Sequence, residues 1–229
     1  MDRDEAKRRA ASAALSRLPP SGVIGLGSGS TSRLFIEALA ERCAAGSEYV
    51  GVPTSESSRI LAESLKIPLL PDSGPWQIDV CVDGADEVSA SLDLIKGGGG
   101  CHAREKIVNH AARQNVIIVD ESKLSQRLGE KWAVPVEVLR FGVRSTWARL
   151  EAFGSVSQRQ RGDQPFVTDA GNYILDVRVG PIDDPGALDL RLRTLPGVVD
   201  TGLFVKRADV VLVAGESSVR TLLAEPGRA

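Results

Sequence analysis

The sequence predicts an α/β fold: a parallel sheet covered by helices, with a small α+β domain inserted late in the chain. Three observations carry this reading. Short apolar runs such as "GVIGLG", "QIDVCVD" and "NVIIVD" alternate with helix-like segments through the first half of the chain. Strands of a parallel sheet are buried on both faces and so read as continuous apolar runs. After Lys131 the pattern changes to strands, one pair joined by a tight turn, and two helices. Near the end, "ADVVLVAG" is again wholly apolar and is assigned back to the first sheet. The expected organisation is a Rossmann-like α/β domain at residues 1–130 and 204–229, with an inserted ferredoxin-like α+β domain at 131–203.

The elements follow in order. Asp4–Leu18 reads as a helix stopped by Pro19-Pro20, with Asp2, Asp4 and Glu5 suited to its first turn. "GVIGLG" is a strand and Ser32–Cys43 a helix. "EYVGVPT" is a strand and Ser55–Leu65 a helix. "QIDVCVDGADEV" is a strand breaking into acids, "AREKIVNHAARQ" a helix and "NVIIVD" a strand. In the inserted part, "WAVPVEVL" is a strand and "RSTWARLEAF" a helix. "FVTDAGNYILDVRV" gives two strands around the turn Asp169-Ala170-Gly171-Asn172. "DPGALDLRLRTL" is a helix with Pro185 near its first position, and "GVVDTGLFV" is a strand.

The chain has 229 residues, 42% of them apolar, which is enough for a core. Lysine and arginine number 28 against 30 acids, for a net charge of −2, so no general field attracts nucleic acid. An anionic ligand must be held by local groups. No run is long and apolar enough for a membrane span, and the N-terminus lacks the apolar core of a secretory signal. Cys43 and Cys81 read as small buried residues, and Cys101 as part of a loop beside a helix start; this usage fits a reducing, cytoplasmic compartment. Cys101 beside His102 is a weak metal signal without a second ligand pair.

"GLGSGST", Gly25–Thr31, is a glycine-rich turn between a strand and a helix. It has no lysine, so it is not a Walker A loop. Gly25 and Gly27 fit the dinucleotide pattern, but Ser30 stands at the third glycine position and no acid closes the second strand. Two readings stay open at parity: a cradle in which Ser28, Ser30, Thr31 and free amides meet an anion at a helix N-terminus, or a tight turn with a capping serine.

"VDGADE" puts Asp83, Asp86 and Glu87 beyond a buried strand, at the sheet end where ligands of open α/β sheets bind. "LIKGGGGCHAREK" follows, with Lys96, four glycines and then Glu105 in the first turn of a helix. Four consecutive glycines cost backbone entropy, which a loop approaching a ligand closely would justify. Lys96 and the glycine amides suit an oxyanion. Glu105 suits a general base, since a closed pocket strips water from a carboxylate and strengthens it as a base. Lys123 in "VDESK" also follows a strand end. Anion cradle, carboxylate base and oxyanion donors are what enolisation of a sugar phosphate needs, the division of labour of triosephosphate isomerase. These residues alone do not identify a substrate, and a non-catalytic sugar-phosphate sensor would use the same cradle without Glu105.

The chain resembles the A type of ribose-5-phosphate isomerase. "GLGSGST", "VDGADE", "IKGGGG", "REKI", "DESK", "PVEV", "VTDAGN", "ILDV" and "LPGVVDTGLF" occur in that family's order and spacing. The resemblance implies interconversion of ribose 5-phosphate and ribulose 5-phosphate, the non-oxidative pentose phosphate reaction, without metal or organic cofactor, by a homodimer or homotetramer. By position, Glu105 looks like the base moving a proton between C2 and C1. Asp83 and Asp86, around Gly84 and Ala85, match the aspartates that contact sugar hydroxyls and help open the ring. Lys96 with Gly97, Gly98 and Gly99 matches the group that stabilises the enediolate. Ser28, Gly29, Ser30 and Thr31 match the substrate loop, and Lys123 a further contact. Whether Ser30 and Thr31 hold the phosphate, or the sugar hydroxyls while Lys123 and nearby amides take the phosphate, stays open. Three departures stand out: Ser28 for the frequent threonine, Gly100-Cys101-His102 for small or apolar residues, and Ala170 for asparagine.

Overall fold

The computed structural model describes residues 3–224; Asp2, the side chain of Asp4 and residues 225–229 of the expected return segment lie outside what is described. The chain divides into two compact units. The first comprises the described residues to Ala85, Arg104–Lys123 and those from Lys206; the second comprises Asp86–Ala103 and Leu124–Val205.

The first unit is built on a six-stranded sheet. Its elements are α1 (Arg3–Leu15), β1 (Gly22–Leu26), α2 (Ser30–Ala44), β2 (Tyr49–Pro53), α3 (Glu56–Ser64) and β3 (Ile78–Asp83). After two short strands of the second unit, β4 (Glu87–Val88) and β5 (Leu94–Ile95), the chain forms α4 (His102–Ala111) and β6 (Ala112–Asp120), then a single 3-10 turn, Glu121–Lys123. Strand order is β2-β1-β3-β6, followed by two strands from the C-terminal segment, β14 (Val210–Ala214) and the antiparallel edge β15 (Val219–Leu223). The other neighbours are parallel. "ADVVLVAG" does return to this sheet, pairing Val210–Ala214 with Val116–Asp120. Ile24, Leu26, Val82 and Ile118 join Ala10, Phe35 and Leu39 of α1 and α2 in one core; Val52, Cys81 and Val108 form a smaller one with α4.

Local rules explain the boundaries. α1 ends three residues earlier than its pattern suggests, because Ser16, Arg17 and Leu18 make tight i→i+3 turns before the prolines. Ser55 caps α3, its hydroxyl accepting from the Ser58 amide at 3.1 Å. α4 stops at Ala111, short of the expected Gln114, because Ala112, Gln114 and Asn115 pair with β3. Cys81 is buried as expected, but Cys43 is only partly covered, since the last turn of α2 faces solvent.

The second unit contains a four-stranded antiparallel sheet of β7 (Val134–Val138), β8 (Ser155–Gln158), β11 (Tyr173–Arg178) and β12 (Val198–Thr201), with α5 (Val143–Leu150) between β7 and β8 and α6 (Pro185–Arg193) between β11 and β12 in the chain. The spatial order β12-β7-β11-β8 and the βαββαβ succession make it ferredoxin-like. β9 (Gln160–Arg161) and β10 (Gln164–Pro165) form a small ribbon. Asp184 caps α6 with Pro185 at its first position. Of the two strands expected around Asp169–Asn172, only the second is regular; Val167 makes a single bridge to Tyr173. "GVVDTGLFV" splits at Gly202 into β12 and β13 (Leu203–Phe204), and β13 pairs with β5, which pairs with β4. Leu128, Val136, Leu150, Leu175 and Leu192 are among the core of this unit.

Candidate active site

In the first unit the parallel strands lie in the order β2-β1-β3-β6-β14, so connections from β1 and β3 leave in opposite directions. Ligands of such sheets bind where the order reverses, beyond the carboxyl ends of those two strands. There Gly27 and Ser28 follow the end of β1, and β3 ends in Asp83. Asp83 is 2% exposed. Its Oδ1 accepts from the Ser28 amide at 3.0 Å, the Ser32 hydroxyl at 3.2 Å and the Gly84 amide at 2.7 Å. Gly27 makes this seat possible: a β carbon there would lie 2.6 Å from Asp83 Cα.

Ser28 turns its hydroxyl inward, to Thr54 at 2.8 Å, Ser55 at 2.7 Å and Ser58 at 3.2 Å, and Ser58 Oγ donates to the Gly27 carbonyl at 3.0 Å. This hydroxyl cluster escaped the sequence reading, although "PTSESS" directly after a strand carries its signal. Gly29, with φ of 92°, precedes α2 without any side-chain cap. Gly29 and Ser30 are exposed and Thr31 is half-buried, so the helix start keeps unengaged amides and hydroxyls. A cavity of about 260 Å³ opens beside them, lined by Gly29, Ser30, Arg33 and Ser57 among others.

Glu105 is in the first turn of α4 and is 5% exposed. One turn later on the same face, Val108 packs with Cys81 and Val52 of the sheet. Gly25 admits this approach, since a β carbon there would lie 2.9 Å from both Cys81 and Val108. Lys123 closes the 3-10 turn after β6 and is half-buried; Ala85 ends the first segment of the unit.

In the second unit, Asp86 receives the Gly98 amide on Oδ2 at 2.6 Å and gives its own amide to the Ile95 carbonyl. Lys96 follows β5, is 3% exposed, holds the Gly202 carbonyl through its amide at 2.9 Å and carries Nζ 5.5 Å from the Phe204 ring centre. Gly97 is buried, Gly98 half-buried and Gly99 exposed. Glu87, the third acid of its motif, serves structure: it is fully buried and accepts backbone amides from Gly129, Lys131 and Trp132. Among the described residues, no group of three or more His, Cys, Asp or Glu is placed to hold a metal ion.

A family model described as ribose 5-phosphate isomerase A (phosphoriboisomerase A) matches residues 50–218. The chain belongs to the ribose 5-phosphate isomerase A family. Ribose-5-phosphate isomerase A of Thermosynechococcus vestitus is 44% identical over 225 residues, spanning 94% of this chain and 95% of its own. The ribose 5-phosphate isomerase A structure from Methanocaldococcus jannaschii matches with a TM-score of 0.91 at 40% identity, over 96% of this chain and 99% of that one. A D-ribose-5-phosphate isomerase in complex with phospho-erythronic acid matches with a TM-score of 0.94 at 39% identity, over 97% and 100%. Beside this site, His102 is wholly buried and packs against Gly97, where a β carbon would lie 2.6 Å from the imidazole Nδ1.

Proposed function

We propose that this chain interconverts D-ribose 5-phosphate and D-ribulose 5-phosphate through an enediolate, with Glu105 as the base. Membership in the ribose 5-phosphate isomerase A family makes it an aldose–ketose isomerase of the pentose phosphate pathway. The observation carrying the residue assignment is Glu105 itself, a carboxylate shielded from water on the sheet-facing side of α4. In the proposed cycle, Asp83 and Asp86 hold sugar hydroxyls and assist ring opening. Glu105 removes the proton on C2, and charge moves to the carbonyl oxygen at C1. Lys96 and the amides of Gly97 and Gly99 stabilise that oxyanion, while the Gly98 amide holds Asp86. The C2 hydroxyl proton passes to the C1 oxygen and Glu105 returns its own proton to C1, leaving a hydroxyl at C1 and the ketone at C2. Ser28 braces the loop through its hydroxyl cluster, while Gly29, Ser30, Thr31 and Lys123 bind the substrate's phosphate end. Lys96 and the loop amides supply the positive charge the oxyanion needs, which supports a reaction without a metal or organic cofactor.

We also place the protein in the cytoplasm, as a homodimer or homotetramer acting on small sugars rather than nucleic acid or membranes. Free cysteines support the compartment, and the exposed Phe141, with Leu139 beside it, supports self-association. Light scattering of the purified protein tests the assembly. The reaction itself is tested by incubating the protein with ribose 5-phosphate in heavy water with a chelator. Ribulose 5-phosphate carrying deuterium at C1 is the expected product. Absence of ketose overturns the activity, and dependence on added metal overturns the cofactor-free reading. Glu105→Gln should lower kcat by about 10²–10⁴-fold; unaltered turnover would sink the base assignment.

A further inference from the structure

We infer that Arg159 is a positioning residue for the glycine loop after Lys96, holding the Gly98 amide on Asp86 and aiming the Gly99 amide outward as an oxyanion donor; this deepens the proposed isomerase reading and rests on it. Arg159 lies between β8 and β9, with its backbone amide on the Ile174 carbonyl at 3.0 Å. Its Nε donates to Asp176 Oδ2 at 3.0 Å and its Nη2 to Asp176 Oδ1, a fork that fixes the guanidinium plane. The remaining arm, Nη1, donates to two consecutive carbonyls, that of Gly97 and that of Gly98, the latter at 3.0 Å. The pair is mostly covered, with the Arg159 side chain 15% and Asp176 22% exposed.

The consequence follows from the peptide unit. In a trans peptide the C=O and N–H point in opposite directions. Drawing the Gly97 carbonyl to Arg159 therefore turns the Gly98 amide away from it, and that amide is found on Asp86 Oδ2 at 2.6 Å. Drawing the Gly98 carbonyl the same way turns the Gly99 amide outward, at an exposed residue. A cationic donor on each carbonyl also polarises the peptide and makes the opposite N–H a stronger donor. A clamp meant only to hold the chain would need one of these carbonyls. Gripping both fixes a pair of donors, with Arg159 itself on the far side of the peptide planes.

The experiment compares the parent chain, Arg159→Ala, Arg159→Lys and Asp176→Asn in isomerase kinetics and in inhibition by phospho-erythronic acid, whose carboxylate mimics the enediolate. Arg159→Ala should lower kcat by about 10–100-fold with KM changed far less, because misaimed donors act on the developing charge. Phospho-erythronic acid should weaken in proportion to kcat. Arg159 and Asp176 both line a cavity of about 640 Å³ that also reaches Gly98, so added guanidinium ion should restore part of the Arg159→Ala rate. Lysine, with no fork, should rescue incompletely. If Arg159→Ala proves insoluble, the Lys and Asn variants carry the same kinetic test. Unchanged kcat, or a fall in kcat with phospho-erythronic acid affinity intact, overturns the inference. A parent chain inactive on ribose 5-phosphate overturns both readings, whereas an active parent with an indifferent Arg159 overturns this one alone.

Discussion

Gly98 gives its amide to Asp86 Oδ2 at 2.6 Å, and a β carbon on Gly98 would lie 2.5 Å from Asp86 Oδ1. The glycine is therefore required by contact. Its φ lies outside the left-handed range, so alanine is conformationally acceptable and only the carboxylate must move. Gly98→Ala should leave the folded state largely intact by circular dichroism and lower kcat by roughly 10²-fold, the scale of an ångström-sized displacement in an active site.

Gly27 backs the other aspartate in the same way, but against main chain. A β carbon there would lie 2.6 Å from Asp83 Cα, between two paired strands. Gly27→Ala should destabilise the protein by about 1–3 kcal/mol, as overpacking does, in addition to lowering activity. Equilibrium denaturation in urea reads the first effect; a variant as stable as the parent contradicts the tight seat.

Glu87 makes a prediction that concerns folding alone. Its carboxylate accepts three backbone amides, from Gly129 at 2.9 Å, Lys131 at 3.0 Å and Trp132 at 3.3 Å. Glu87→Ala strands these donors and should cost roughly 2–5 kcal/mol. Glu87→Gln should cost less, because one oxygen remains to accept. Denaturation midpoints separate the two.

Glu137 supplies a pH dependence. Burial pushes its carboxyl above the usual value of 4.5, opposed by hydrogen bonds from Asn172 and Thr168 and reinforced by Asp200 and Asp169. The folded state thus holds the proton to higher pH than the unfolded chain. Stability from this group is full below about pH 4.5 and is lost as pH rises through the folded value. Both hydrogen bonds, each 2.9 Å, fall on Oε1, which a glutamine oxygen can replace. Glu137→Gln should therefore melt above the parent at pH 7, with the gap closing as pH falls toward 4.5. Thermal melts across that range check the sign.

Much of this was legible in the chain because parallel strands announce themselves. The inner residues of "DVCVD" and "NVIIVD", and all of "VVLVA", are apolar since both faces are covered, and even the return of the last to the first sheet could be read. The edge strand β15, "VRTLL", was not, because its half-exposed face leaves it mixed. The split of "GVVDTGLFV" is equally silent, as it depends on which strands Val198 and Leu203 meet. In the candidate site, glycines beside acids and a lysine marked the loops. Their supports did not show: Arg159 stands 62 positions from Gly97, and nothing in "SQRQR" distinguishes it from a solvated arginine.

The parallel pairing of β14 with β6 also dictates an order of events during synthesis. Asn115 and Asp209, which join across it, are 94 positions apart, and the second unit's long segment Leu124–Val205 is made in between. Until the C-terminal strands leave the ribosome, β6 must stand as an open edge carrying Val116, Ile117 and Ile118. The nascent chain therefore passes through a stage with a sticky, half-finished sheet, when chaperone capture competes with aggregation.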